Sequence, residues 1–184
     1  MRLIASVFLA LPLLVSQSVA PSPTDGRVIG NAYVNSYFHF SFAWPKIVQP
    51  FDTSSLNLGP QSPYGNEFML FCAREGNEPY GVIMLAEKLN VPTPHSTGVR
   101  DSADFLNRLM RFRPDEHVTN VSKKHFNGTG GLVFDEVDYE QNGGFSSGII
   151  TTVGQFLIVF KCNAKSASEL ALINQSVAAM QIQK

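Results

Sequence analysis

Three tight turns in the last third of the sequence join strand-length segments, and this run of hairpins constrains the fold more than any other feature. Asn127-Gly128 and Asn142-Gly143-Gly144 suit hairpin turns because asparagine and glycine tolerate positive φ, and Val153-Gly154 reverses the chain again. The turns join four strand-length segments, at about 117–125, 131–140, 145–152 and 155–162. Strands joined by such short turns pair antiparallel. The sequence therefore predicts an antiparallel sheet over this region.

Further strands are expected earlier in the chain. In residues 33–45 the aromatic side chains occupy every second position (Phe38, Phe40, Phe42 and Trp44). This period of two predicts a single strand with an aromatic core face, ended by Pro45, with His39 pointing away from that face. Two apolar runs, at about 67–74 and 80–88, predict two more strands.

Two segments have helical periodicity instead. Residues 103–113 follow a cap at Asp101 or Ser102, and residues 167–179 follow a capping box in which Ser166 accepts from the Glu169 amide. Leu170, Ile173, Val177 and Met180 form one apolar stripe along the second helix. The order of elements predicts an α+β fold. We expect an α/β/α sandwich with a central, mostly antiparallel sheet of about six to seven strands and two main helices.

The first twenty residues have the organisation of a secretory signal peptide. Met1-Arg2 is followed by an apolar run over residues 3–15 and by the small-residue triplet Ser18-Val19-Ala20. The alternative is an uncleaved N-terminal anchor helix, but the run is shorter than the ~20 residues that cross a bilayer. We predict a signal peptide at 1–20, a flexible tether at 21–32 and a single domain at 33–184. The protein is then exported to the periplasm or the extracellular medium, without stable membrane insertion after cleavage.

Charge and composition limit the partners. The formal net charge is −1 at pH 7, which gives no electrostatic attraction to nucleic acid. Fourteen phenylalanines indicate a well-buried globular domain. We expect a monomer without a cofactor, whose partner is a protein or a small molecule.

The chain has two cysteines, Cys72 and Cys162, each near the end of an apolar strand. Export permits a disulfide between them. The alternative is two buried free thiols that pack as small hydrophobic side chains.

The opening of the domain resembles a known motif. Tyr33, Asn35, Tyr37 and the aromatic run to Pro45 are similar to the start of exported bacterial proteins with the PsbP-like fold, which PsbP of photosystem II shares with the Ran-binding Mog proteins. The segment from Gly154 to Leu170, which covers the last strand and the start of the last helix, fits the same pattern. His39 stands where that motif often has glycine. The resemblance implies an α/β/α sandwich and an accessory or binding role.

Motifs for catalysis are missing from the sequence. The Gly144–Gly148 segment only imitates a nucleophile elbow, because it lies in a hairpin, and no phosphate loop or zinc-protease helix is present. Neither the four histidines nor the alternating acidic residues Glu136, Asp138 and Glu140 have metal-site spacing. We interpret the acidic residues as a solvent-facing strip. No catalytic, metal or cofactor residue is assigned.

One cleft is a candidate binding site. Tyr37, Tyr64, Tyr80 and His95 are aromatic or polar residues in or beside the loops, and they are candidates to line a cleft for a ligand or peptide. The alternative is that the aromatic residues only pack in the core and at its rim. The sequence thus favours an exported, non-catalytic accessory or binding protein. Two alternatives stay open: a secreted hydrolase with a site built from loops 46–66 and 91–100, and a structural envelope protein.

Overall fold

The structure, a computed structural model, describes residues 20–51, 67–93, 97–111 and 117–183. The predicted signal peptide therefore lies outside the described residues, apart from Ala20. A small antiparallel sheet of four strands is built from both ends of this described chain. In spatial order its strands are β1 (Gly26–Ile29), β2 (Ala32–Asn35), β3 (Phe40–Ala43) and β11 (Gln181–Ile182).

The larger sheet has seven strands, all paired antiparallel. They are β4 (Gln49–Pro50), β5 (Glu67–Arg74), β6 (Gly81–Lys88), β7 (Val118–Asn127), β8 (Val133–Gln141), β9 (Gly144–Val153) and β10 (Phe156–Ala164). Their order across the sheet is β4-β5-β6-β10-β9-β8-β7. The predicted hairpins are confirmed, and the β8–β9 turn has φ of 50° at Asn142 and 78° at Gly143, as a two-residue turn requires.

The two helices lie on opposite faces of the larger sheet. On one face, α1 (Ser102–Arg111) buries Phe105 and Leu106 in a cluster with Leu85, Leu157 and Val159. On the other face, α2 (Ala167–Ala178) and the small sheet share a second cluster. The stripe predicted for α2 is buried there, and the Ser166 hydroxyl accepts a hydrogen bond from the Glu169 amide at 3.2 Å. The predicted α+β class is confirmed.

The segment 33–45 is a hairpin and not the single strand that its alternation predicts. β2 pairs with β3 so that Tyr33 faces Phe42 and Asn35 faces Phe40, and residues 36–39 form the turn. The aromatic core face is nevertheless confirmed, because Phe38, Phe40, Phe42 and Trp44 are all buried. Phe38 in the turn and Phe40 and Phe42 on β3 point to the same core. The alternation of aromatic and other side chains therefore continues through the chain reversal.

The predicted flexible tether at 21–32 is wrong for most of its length. Residues 26–29 form β1, which pairs with β2, and the Asn35 side-chain amide donates to the Pro23 carbonyl at 2.8 Å. The ring of Tyr33 lies so close to Gly26 that a β-carbon there would meet the phenol oxygen at 1.7 Å. The segment is held against the domain from Pro23 onward.

The cysteines are free thiols in the structure, which agrees with the second of the two alternatives. Cys72 on β5 faces Ile83, Cys162 on β10 faces Val82, and β6 lies between the two strands. Two strand spacings place the cysteines roughly 10 Å apart, and adjacent partners on β6 put them on opposite faces. A disulfide needs Cα atoms within about 7 Å, so the predicted bridge does not form in this arrangement.

His39 has an unfavourable backbone conformation, as the resemblance suggests. Its φ is 54°, in the left-handed region, and its side chain is exposed. We expect His39→Gly to raise the free energy of unfolding by about 0.5–1 kcal/mol, because relief of left-handed strain exceeds the greater entropy of the unfolded chain. Urea denaturation measures the change. His39→Ala, which keeps the β-carbon, is the control and should give no gain; equal gains in both variants would contradict the explanation.

Candidate ligand-binding groove

A groove runs along one edge of the larger sheet beside α2. The helix packs mainly on β10 and β9, and an open space remains between it and the outer strands β8 and β7. The open space between helix and strands measures about 760 Å³, within the usual range of ligand pockets. Its lining comes from β7, β8, β9 and α2: Asn120, Lys124, His125, Phe126, Glu136, Asp138, Tyr139, Glu140, Phe145, Ala167, Leu170, Ala171, Asn174, Gln175 and Ala178.

Apolar side chains form much of the groove. Phe126 on the edge strand stacks on Phe134 with ring centroids 5.3 Å apart, so its ring is held in place. Along α2 the lining residues recur at intervals of three and four: Ala167, Leu170, Ala171, Asn174 and Ala178. That spacing puts them on one face of the helix. Because most of them are small, the helix leaves room beside the sheet.

The polar part of the groove is a pair of carboxyl groups on β8. Strand alternation puts Glu136 and Asp138 on the same face, the face that carries α2. The side chain of Glu136 is only 7% exposed, and its Oε1 accepts a hydrogen bond from Asn174 Nδ2 at 2.8 Å. Lys124 Nζ donates to Asp138 Oδ2 at 2.5 Å and lies 3.5 Å from Glu136 Oε1. One ammonium group thus bridges both carboxyl groups.

Glu136, Asp138 and Lys124 form the polar floor of the groove, and a second set of hydrogen bonds beneath them holds this floor in place. Ser147 Oγ donates to Asn174 Oδ1 at 3.0 Å, which directs the Asn174 amide N–H toward Glu136. The Ser147 hydroxyl also interacts with the buried thiol of Cys162 on β10. Helix α2 is therefore tied to β8 and β9 through polar groups beneath the groove.

The environment of Glu136 changes its acidity. Burial raises the pKa of Glu136 to about 7, and the hydrogen bond and charge of Asp138 act in the same direction. The Lys124 ammonium opposes the rise, since it favours the ionised form. Glu136 therefore titrates near neutrality, where a carboxyl group in water is already ionised.

The predicted solvent-facing acidic strip is thus wrong for Glu136 and in part for Asp138. Glu136 is buried beneath the edge of α2 and Asp138 is partly covered, although alternation correctly puts them with Glu140 on one face. Asp135 lies on the other face, where His125 Nδ1 is 2.8 Å from its Oδ1 and the Ser102 hydroxyl donates to Oδ2. Ser102 and His125 therefore each contact the Asp135 carboxylate and not each other. In a catalytic triad the nucleophilic serine hydrogen bonds to the histidine, so these three residues do not form one.

The structure does not assemble the predicted aromatic cleft. Tyr37 lines a separate hollow of about 440 Å³ with His39, Lys88 and Phe156. Tyr80 lies at the other end of β6, with its ring 5.6 Å from Lys165 Nζ. Seven strand steps separate the two ends by roughly 23 Å. A single cleft through both tyrosines is wrong, and Tyr64 and His95 lie outside the described residues.

The described residues hold neither a candidate metal site nor a candidate membrane-spanning helix. No three His, Cys, Asp or Glu side chains in residues 20–51, 67–93, 97–111 and 117–183 are grouped so that they could hold a metal ion. Among those same residues, no helix has the length and apolar character needed to cross a bilayer. Loop residues 52–66 and 94–96, which the hydrolase alternative needs, lie outside these ranges.

Comparison with known proteins identifies the fold. No protein-family model and no curated protein sequence matches the chain. Among solved structures, it is similar to the solution structure of cyanobacterial PsbP (CyanoP) from Synechocystis sp. PCC 6803. The TM-score is 0.56 with 12% identity, and the match covers 91% of this chain and 98% of that one. The chain has the PsbP-like fold, as its sequence motifs predict.

Proposed function

We propose that the protein is an exported, non-catalytic binding protein, and that the groove between α2 and the outer strands holds its ligand. The observation that carries this proposal is the combination, in one space of about 760 Å³, of an apolar lining and a largely buried pair of carboxyl groups. Ligand pockets typically combine apolar walls with a few fixed polar groups. The groove has both.

The lining indicates the chemistry of the ligand. Phe126, Phe145 and Leu170 suit an alkyl or aromatic body of modest size. Around the polar floor, Glu136, Asp138 and Glu140 outnumber Lys124, the cation that contacts the pair. A cationic head group complements this charge and would compete for the carboxyl pair with the Lys124 ammonium, whose side chain is 55% exposed. We therefore propose an amphipathic ligand with a cationic head.

The other parts of the proposal rest on the sequence. Export follows from the signal-peptide organisation of residues 1–20. The assignment as non-catalytic follows from the lack of a nucleophile or base motif in the sequence, and from the Ser102, Asp135 and His125 contacts, which have the wrong connectivity for acyl transfer. An accessory role is in keeping with the PsbP-like fold, although fold by itself is weak support for function.

Binding is tested with three small amphipathic probes that differ in their head group: octylamine, octanol and octanoate. We expect octylamine to bind most tightly and to shift the amide NMR signals of β7, β8 and α2. Ala171→Trp fills the groove from the exposed side of the helix, and it should weaken octylamine binding tenfold or more. Signals spread over the whole domain, or an unaffected Ala171→Trp variant, would reject the groove as the site.

The matched control for this variant is Leu172→Trp. Leu172 is the next residue on α2, is 47% exposed and does not line the groove. The two variants add similar bulk to neighbouring positions of the same helix. Only Ala171→Trp should weaken octylamine binding, and both variants should give the same far-ultraviolet circular dichroism spectrum.

A further inference from the structure

We infer that the groove contains a proton switch, in which Glu136 and Asp138 share one proton whose loss doubles the negative charge of the carboxyl pair. The effect of this switch on ligand binding rests on the function proposed above, whereas the shared proton does not.

Hydrogen bonding within the pair requires a proton. Glu136 and Asp138 lie on one strand face and share the Lys124 ammonium, which is 3.5 Å from Glu136 Oε1 and 2.5 Å from Asp138 Oδ2. Two such carboxyl groups can hydrogen bond to each other only if one of them is protonated. Asp138 Oδ2 accepts a hydrogen bond from Lys124. Asp138 Oδ1 is buried, and no N–H or O–H group in the described residues donates to it. A buried acceptor left without a donor destabilises the folded state. A carboxylic O–H on Glu136 supplies the missing donor.

The surroundings decide which group keeps the proton. Lys124 on β7 donates at 2.5 Å to Asp138 but lies 3.5 Å from Glu136, so the ammonium stabilises the negative charge mainly on Asp138. Glu136 is the more buried of the two, at 7% side-chain exposure against 22%. The remaining groups around Glu136 are neutral: Asn174 on α2, Ser147 on β9 and the Cys162 thiol on β10. The proton therefore belongs on Glu136.

The charge of the floor then changes across neutral pH. With Glu136 protonated, Asp138 and Lys124 balance each other; with Glu136 ionised, the three groups carry a net charge of −1, and Glu140 on the same strand face adds its own. Because the pKa of Glu136 is about 7, this change falls between about pH 6 and 8. A cationic ligand should bind more tightly on the alkaline side, and a neutral ligand should be indifferent.

The same proton affects folding stability, and the direction in which folding shifts the Glu136 pKa determines whether the protein gains or loses stability as the pH rises. A carboxyl group whose pKa rises on folding, here from 4.5 to about 7, binds its proton more tightly in the native state. Its contribution to stability is complete below about pH 4.5 and is lost as the pH rises toward 7. Wild-type urea midpoints should fall over this interval.

The test is a carboxyl ¹³C NMR titration of the full chain. We expect the Glu136 carbon to titrate with a midpoint near pH 7, and Asp138→Asn to move that midpoint at least one unit toward acid. In Glu136→Gln the side-chain amide replaces the donor O–H, so the fall in urea midpoint should shrink to less than half of the wild-type value. Glu78→Gln, an exposed glutamate outside the groove, is the matched control and should leave both measurements unchanged.

The outcomes separate this inference from the proposed function. A Glu136 midpoint below pH 5.5 overturns the switch, whether or not any probe binds. A midpoint near pH 7 supports it; if octylamine then fails to bind at any pH, only the proposed function is rejected. If octylamine binds, its affinity should increase at least threefold between pH 6 and 8, whereas that of octanol should not change. An equal affinity for octylamine at both pH values would overturn the inferred control of binding.

Discussion

Asn35→Ala is expected to lower the free energy of unfolding by about 3 kcal/mol, because it leaves several buried groups without partners. Asn35 is fully buried and makes three hydrogen bonds. Its amide donates to the Pro23 carbonyl at 2.8 Å and to the Tyr33 hydroxyl at 3.0 Å, and its Oδ1 accepts from the Phe38 amide at 3.0 Å. The N-terminal segment, β2 and the following turn all depend on this one side chain.

Chemical denaturation of the purified variant measures this loss. Ser36→Ala is the matched control, since it removes a neighbouring exposed hydroxyl whose hydrogen bond to the Asp25 carbonyl is long, at 3.4 Å. It should change stability by less than 0.5 kcal/mol. A loss below 1 kcal/mol for Asn35→Ala would mean that the three hydrogen bonds are not jointly important.

Phe42→Ala should have a still larger effect, a loss of about 4 kcal/mol. Phe42 is fully buried on β3, where its ring lies 5.8 Å from that of Phe71 and 5.4 Å from that of Phe160. Those partners belong to β5 and β10, so Phe42 joins the small sheet to the larger one. Alanine removes this contact and leaves a cavity that the surrounding strands can fill only in part.

The size of the effect is measured by thermal and urea unfolding. Phe42→Leu, which keeps much of the volume, should lose clearly less than the alanine variant, and Ala43→Ser, on the exposed side of the same strand, should be close to neutral. Equal losses in Phe42→Leu and Phe42→Ala would contradict cavity formation as the cause.

The sequence predicts most strands and both helices because their signals are local. The turn at Asn142-Gly143 and the cap at Ser166 involve residues a few positions apart, and the structure places them as expected. The small sheet could not be predicted in this way. β1 follows a polar segment with two prolines and begins at a glycine, and β11 has two residues, so each is a strand only because a partner lies beside it. The β2–β3 reversal is hidden because alternation continues through Phe38.

The groove shows a different limit. Alternation correctly puts Glu136 and Asp138 on one face of β8, but it does not say whether that face meets solvent or a helix. The answer depends on α2, which begins 31 residues after Glu136, and on Asn174, whose partner Glu136 is 38 residues away. A signal was present: Ala167, Ala171, Asn174 and Ala178 form a small-residue face beside the apolar stripe of α2. A helix with such a face leaves space next to the sheet.

Since the Cys72 and Cys162 thiols are buried, free and on opposite faces of the sheet, they can report on how the native protein opens. Burial raises the pKa of both groups, that of Cys162 to about 12, and the reactive species is the thiolate. A thiol reagent can therefore modify them only during transient exposure. In proteins that each retain one cysteine, the modification rate at low denaturant gives the opening free energy of β5 or of β10 separately.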